Sequence, residues 1–471
     1  MNCKRLLALA AAVSWLAGCA INRPPAEAAA PTPPQWYAPL PHDGTLTDLT
    51  RWWQQFNDPL LIELIAAAQS ASPTVAAAGT RIAQARANRV AAGAALLPTV
   101  DGSVSAARGN SQPPAPLATT LQAGVQAGWE IDLFGGNRAA LDAARHRVAG
   151  AEAGWHDARV AVAAETANSY LNFRTCERQR AVADNDAKSR AETARLSQLS
   201  AEAGFTAPAV ASLARASAAE GAARATQQRA LCEIEIKALV GLSGLAEPAL
   251  RQKLGIAWVE PTQFAMVALP SVPARLLAQR PDVYLAEREV AAASADVGSA
   301  RAERFPQLSL SGSIAAGKVR TGGSTTTLET WSIGPLALTL PLFDGGRRAA
   351  DEDAAVARYE EAAIAYAARV RQAVREVEEA LVNLDSARSR SEDARIAVEG
   401  YRVSFAATEA RYRSGLASLV ELEDQRRVTL AAETALVSLQ RERVAAWIAL
   451  YRAVGGGWSR PEQATAAAVQ P

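Results

Sequence analysis

The sequence predicts an α+β chain made of two copies of one unit, each reading helix, strand, loop, strand, long helix, tight turn, helix. Three observations predict it. In the run from Pro335 to Arg348 the residues Leu336, Leu338, Leu340 and Leu342 alternate at period two, and Gly345-Gly346 then opens a long Ala-rich helical pattern. About 209 residues earlier, Leu121, Ala123, Val125, Ala127, Trp129, Ile131 and Leu133 alternate with Gln122, Gly124, Gln126, Gly128, Glu130 and Asp132 before Phe134-Gly135-Gly136 opens another such helix. The same offset, within a residue or two, relates Leu97-Pro98 to Phe305-Pro306 and Gly204 to Gly415. Finally, after residue 18 no stretch reaches the ~18 uninterrupted apolar residues of a spanning helix, so any part that crosses a membrane does so as strands.

Composition agrees with long, closely packed helices: 49% of the 471 residues are hydrophobic, yet only 6% are aromatic, and Ala dominates. The formal net charge of +1, with both signs interspersed, leaves no basic face for nucleic acid.

Residues 1–18 carry Lys4 and Arg5, an apolar run from Leu6 to Leu16 and small residues before Cys19, as an export signal requires. The end of this segment, Leu16-Ala17-Gly18-Cys19, resembles a bacterial lipoprotein box. That implies cleavage before Cys19 and acylation of its sulfur, which anchors a protein without a spanning helix; a plain signal peptide that happens to contain Cys is the alternative. Ala20 resembles outer-membrane sorting. Residues 19–50 hold seven prolines and read as an extended tether.

The first repeat, 51–242, begins with Trp52-Trp53-Gln-Gln-Phe56-Asn-Asp58-Pro59, in which the aromatics suit a packing site and Asp58 and Pro59 suit a helix start. Helices 60–70 and 72–97 follow, the second ended by Pro98. Strand 99–107, a polar Pro-rich loop 109–116 and strand 121–133 come next. Helix 137–199 is ~95 Å long at 1.5 Å per residue. Gly204 turns the chain, Thr206 is a cap candidate, and helix 207–242 returns. Helices 72–97 and 207–242 together total 62 residues against 63 in the long helix, so two short helices stacked end to end can accompany one long one.

Residues 243–273 read as an irregular linker. The second repeat, 274–457, holds helix 274–305, strand 307–315, a loop 317–327, strand 331–343, helix 346–411, a turn at Gly415 and helix 416–454. In the long helix, Val370, Val374, Val377, Leu381 and Leu384 form a seam of coiled-coil spacing. Residues 458–471 read as a tail without structure.

Strand 121–133 sets one apolar face against one of Gln, Gly, Glu and Asp, the dyad pattern of a transmembrane barrel strand. Trp129, Phe134, Trp331 and Phe343 suit an aromatic girdle. An ordinary sheet packed on a helix gives the same alternation. Four strands with free edges cannot span a bilayer, because every backbone polar group there must be paired, so a barrel of such strands needs several chains.

The chain resembles the TolC-like outer-membrane efflux channels, in the lipoprotein branch called NodT-type. The residues that carry this are Trp52-Trp53-x-x-Phe56-x-Asp58-Pro59-x-Leu61, Arg280-Pro281-Asp282-Val283-x-x-Ala286-Glu287, Ala300-Arg301-x-x-x-Phe305-Pro306-x-Leu308, Pro341-Leu342-Phe343-Asp344-Gly345-Gly346 and Tyr412-x-x-Gly415. The resemblance implies a homotrimer with a 12-stranded barrel, a helical tunnel through the periplasm, and a periplasmic adaptor and inner-membrane pump as partners. It places adaptor contact at the turns around Gly204, Tyr412 and Gly415, and an acidic periplasmic aperture at Glu421 and Asp424. These two acids share a helix face, and they equally suit a helix start, where acids complement its dipole. The first-copy turn departs from the pattern, with Pro208 in the next helix's first turn and Val210 and Leu213 where the second copy has acids.

Cys176 and Cys232 lie 28 residues before and after Gly204, at equal height in an antiparallel hairpin, and are expected to pair in an oxidising compartment; two buried free thiols are the alternative. An enzyme finds little here. His146 and His156 have no Cys, Asp or Glu companions at metal-ligand spacing, and the Gly-Gly turns fit no phosphate loop, so no cofactor is expected. The remaining rival is a periplasmic coiled-coil lipoprotein without a pore.

Overall fold

The computed structural model describes residues 21–38, 49–110, 117–255, 277 and 279–460. The expected signal peptide and Cys19 lie outside them, as do residues 39–48 of the expected tether, 111–116 of the expected Pro-rich loop, 256–273 of the expected linker, 274–276 of the helix expected after it and 461–471 of the tail.

A 3-10 helix, Leu49–Phe56, leads into α1 (Pro59–Ala71) and α2 (Pro73–Ala94). Strands β1 (Thr99–Gly109) and β2 (Ala118–Ile131) precede α3 (Gly136–Glu202), α4 (Pro208–Ser243) and α5 (Glu247–Leu254). The second copy holds α6 (Pro281–Ala302), β3 (Gln307–Thr321), β4 (Ser324–Thr339), α7 (Arg347–Arg413) and α8 (Leu419–Ala453). The helices divide between two compact units, and α2, α3, α6 and α7 contribute residues to each.

One unit comprises the described part of Met1–Ala30 with Gly79–Ala153 and Tyr284–Arg369, and contains the sheet. The four strands pair antiparallel in the order β1-β2-β3-β4. The β3–β4 hairpin corrects the expected loop at 317–327. The ladder runs unbroken from Gly317↔Leu328 to Thr321↔Ser324, and Gly322 and Gly323, both with positive φ, make a two-residue turn. Thr325, Thr326 and Thr327, which read as loop by composition, are β-branched residues that fit a pleat. Strand β4 therefore begins earlier than expected and its ladder ends at Thr339, two residues before Pro341.

The other unit comprises Pro31–Ala78, Gly154–Val283 and Val370–Pro471. Its core joins Trp52, Phe56, Leu61, Leu64, Tyr170, Leu239, Leu250, Val377, Leu381, Trp447, Ile448 and Tyr451. The expected seam of α7 is buried here at Val370, Val377, Leu381 and Leu384. Trp52 stacks on Tyr451 with ring centres 4.7 Å apart. Asp58 caps α1, accepting from the N–H of Leu60 and Leu61, and also accepts the hydroxyl of buried Tyr170 at 2.5 Å. Burial, with that bond, pushes the Tyr170 phenol above the usual tyrosine range.

The Arg-Pro-Asp run is a latch. Pro281 is the first residue of α6, and Arg280 reaches both oxygens of Asp282, Glu376 Oε2 at 2.7 Å and the carbonyl of Ala453 at 2.7 Å. Of the helix expected from 274, residues 274–276 and 278 lie outside the described residues, Leu277 is helical, and α6 begins at Pro281. Part of the expected irregular linker is helix α5.

The expected tether is docked at both ends of its described length, residues 22–24 and 36–38. In the sheet-bearing unit, Asn22 and Pro24 accept hydrogen bonds from Arg301 and Ser294 of α6. In the other, Trp36 is buried, and the N–H groups of Tyr37 and Ala38 donate to Glu378.

Candidate functional site

Opposed residues of an antiparallel pair point to the same face, so the register sorts the sheet completely. One face carries Val100, Gly102, Val104 and Ala106 of β1, and Leu121, Ala123, Val125, Ala127, Trp129 and Ile131 of β2. It continues with Leu308, Leu310, Ile314 and Ala316 of β3 and Leu338, Leu336, Ile333 and Trp331 of β4. The opposite face carries Asp101, Ser103, Gln122, Gln126, Glu130, Ser309, Ser313, Thr330 and Ser332, with Ser313 and Ser332 hydroxyls 3.0 Å apart.

Neither face is covered by other described residues: Val104, Ile314, Trp331 and Ile333 are each more than half exposed, and the polar residues of the opposite face are exposed too. A bare face with so broad an apolar band marks a surface that meets lipid or another chain rather than water.

The polar face is also the concave one. A Cβ built on Gly124 would stand 2.8 Å from the Cβ of Ala315, its pairing partner, where paired Cβ atoms normally lie ~5 Å apart. The strands close on that side, and Gly124 and Ala315 leave room for it. The apolar band from Leu121 to Ile131 covers ten residue steps, ~33 Å along a strand. At the ~40° tilt of a membrane barrel it stands ~25 Å tall, the height of a lipid-facing band. Of the expected girdle, Trp129 lies at the helix end of the band, its indole donating to the Leu96 carbonyl, and Phe134 stacks on Phe305 just beyond it. Phe343 follows β4 and is almost wholly exposed. Trp331 is mid-strand instead, opposite Ile314.

The helical hairpins end in two matching turns. Gly204 and Gly415 have φ of 80° and 74°; Phe205 N–H returns to Ser200 O, and Leu416 N–H to Arg411 O. The caps differ. Ala207, not the expected Thr206, is the N-cap of α4, and it makes no side-chain bond; Pro208 fits because it occupies the first helical position. Ser418 caps α8 in a reciprocal box with Glu421. The N–H and hydroxyl of Ser418 both donate to the Glu421 carboxylate and hold it below the usual carboxylate range. Asp424 lies on the same exposed side and pairs with Arg427 at 3.2 Å. Tyr412 is turned into the chain, its hydroxyl 2.8 Å from Ser197. Cys176 and Cys232 are joined, with Cα atoms 5.5 Å apart.

Above these turns lies a polar cluster that sequence reasoning missed. Arg190 of α3 donates to Asp186, to Ser217 of α4 at 2.5 Å and to Glu423 of α8 at 2.5 Å. Arg426 donates to Glu423, to Ser189 at 3.1 Å and to Thr193 at 3.0 Å. Burial lowers the Arg426 guanidinium from its ordinary value. A signal existed: Asp186, Arg190, Thr193 and Ser197 keep coiled-coil spacing, and Arg426 falls in phase with Leu419, Leu422 and Thr429. Charged residues in a seam position are inside, not on a solvated face.

Residues 64–244 and 272–456 match the outer membrane efflux protein family. The chain belongs to that family. It is 29% identical to the pyoverdine export outer membrane protein OpmQ of Pseudomonas aeruginosa, over 98% of both chains. It is 31% identical to the protein of the same name in Pseudomonas putida, over 97% of this chain and 98% of that one. Among solved structures, the outer-membrane channel OprN superposes with a TM-score of 0.82 at 28% identity, covering 93% of this chain and 98% of its own. The channel is therefore an efflux component of the outer membrane, and its sheet is the membrane part: apolar face to lipid, concave polar face to the lumen.

Proposed function

We propose that three copies close a 12-stranded barrel, each giving four strands, and that the helices continue it as a passive periplasmic duct fed by an adaptor and an inner-membrane pump. The single observation that carries this is the bare sheet, apolar outside, polar and concave inside, with β1 and β4 as unpaired edges. A bilayer tolerates such edges only when another chain pairs with them. Among the described residues the inward face bears Asp101 and Glu130 and no Lys or Arg, so the lumen is a cation-favouring path.

Docking of the adaptor at the hairpin turns is supported by Phe205 and Leu416, large apolar residues that follow Gly204 and Gly415 and are 85% and 70% exposed. A lipidated Cys19 fits the same frame: Asn22 is held by Arg301 near the end of α6, and three residues reach at most ~11 Å further. Mass spectrometry should find acyl mass on Cys19; an unmodified terminus elsewhere excludes the anchor.

The deciding experiment is conductance of the purified full-length protein in a planar bilayer. Discrete, cation-selective steps are expected. A protein that binds the bilayer without conducting is the pore-free lipoprotein instead.

A further inference from the structure

At the end of the sheet away from the helices, the outward face changes character within two register levels. Arg108 of β1 pairs with Thr119 of β2, which pairs with Arg320 of β3 and that with Thr325 of β4. One level nearer the band, Lys318 pairs with Leu121 and Thr327. All three cations share the face of Leu121 and Val125, and all three are exposed. Two strand spacings put Arg108 and Arg320 ~10 Å apart, and two residues along β3 put Lys318 ~7 Å from Arg320.

These cations differ from those at the other end of the strands. There Arg138 pairs with Asp132, Arg348 with Asp344, Arg347 with Asp351, and Arg301 and Arg304 with Glu352. Among the described residues no carboxylate pairs with Arg108, Lys318 or Arg320, and the acid on this outward face of the strands is Glu329, opposite Ala316. Unpaired cations beside apolar surface are costly unless the surroundings supply anions. Long Lys and Arg side chains at the edge of a lipid-facing band extend to the headgroup level.

We propose that Arg108, Lys318 and Arg320 form a binding row for the phosphate groups of the outer leaflet's phosphorylated glycolipid, with the hydroxyls of Thr119, Thr325 and Thr327 beside them. The assignment rests on the barrel reading above, which sets this end of the sheet at the external surface because all helices leave from the other. Guanidinium forks suit phosphate oxygens, and each cation adds to attraction by an anionic surface. A net surplus of positive charge at this edge and paired charges at the inner edge match a membrane whose outer leaflet is the more anionic.

The test uses full-length protein purified in a neutral detergent and titrated with bis-phosphorylated lipid A, its dephosphorylated form serving as the second ligand. Replacing all three residues (Arg108→Gln, Lys318→Gln, Arg320→Gln) should weaken binding of the phosphorylated lipid about 100-fold. The dephosphorylated lipid should bind wild type and variant alike. Bilayer conductance of the variant should stay at the wild-type value, which separates failure of this proposal from failure of the barrel reading. Should the triple variant not assemble, Lys318→Gln alone should weaken binding about fivefold. Binding of phosphorylated lipid within twofold of wild type in the variant, or wild type that does not distinguish the two lipids, overturns the proposal.

Discussion

Replacing Arg190 by Met isolates what the polar cluster near the turns contributes. The Arg190 side chain is 7% exposed and serves Asp186, Ser217 and Glu423 together. Its loss leaves Asp186 with Arg224 at 3.3 Å and leaves Glu423 with Arg426 and Ser217. Breaking a buried charge pair from one side costs ~3–5 kcal/mol. Because both acids keep another donor, the lower end, about 3 kcal/mol, applies here. Local opening should then become about 100-fold more frequent. Amide hydrogen exchange on the detergent-solubilised protein reads this directly, in peptides covering residues 186–197 and 419–429. Arg195→Met is the comparison: it breaks an i,i+3 pair with Glu192 on the same helix, but both side chains there are more than half exposed. Exchange should change less than about fivefold in that variant. An Arg190→Met protein whose protection falls no further than that of Arg195→Met refutes the reasoning, and the cluster is then solvated.

Three further outcomes are expected. Thiol labelling of denatured, unreduced protein should find Cys176 and Cys232 unreactive, and reducing their bridge, which spans 56 residues, should cost about 4 kcal/mol of stability in the chain-entropy account. Glu421→Gln with Asp424→Asn should lower cation selectivity and divalent block in a planar bilayer while stability holds, since Gln serves a capping box as Glu does; unchanged selectivity and block assign both acids to the helix start alone. Burial of Glu376 opposes its charge, but hydrogen bonds from Gln372 and Arg280 outweigh it and hold its carboxyl below the usual range. A depressed folded pKa contributes stability above the unfolded value and loses it as pH falls through the folded one. Glu376→Gln should therefore lower the unfolding temperature at pH 7, and the gap from wild type should close below about pH 4; a gap independent of pH excludes the charge as its source.

Periodicity and spacing determined much of this protein before any coordinate. The alternation of Leu121 to Leu133, the switch at Gly345-Gly346 and the near-identical offsets between copies depend only on neighbours in the chain, so strands, helices and repeat are legible locally. The equal distances of Cys176 and Cys232 from Gly204 are legible too, because an antiparallel hairpin converts sequence distance into height. Three things only tertiary structure decided. The Thr-rich stretch 324–327 is strand because β3 lies beside it with an open ladder, a partner no local window contains. Which face of the sheet is concave follows from the closeness of Gly124 to Ala315, residues far apart in sequence; alternation by itself treats both faces alike. The seam spacing of Arg190 and Arg426 is local, but their partners are not: only the meeting of three helices brings Ser217 and Glu423 to Arg190 and sets Ser189 and Thr193 against Arg426. Pattern records what each segment prefers, whereas burial and pairing depend on which distant segments arrive, and a charge inside a seam is stable only once its partners have arrived.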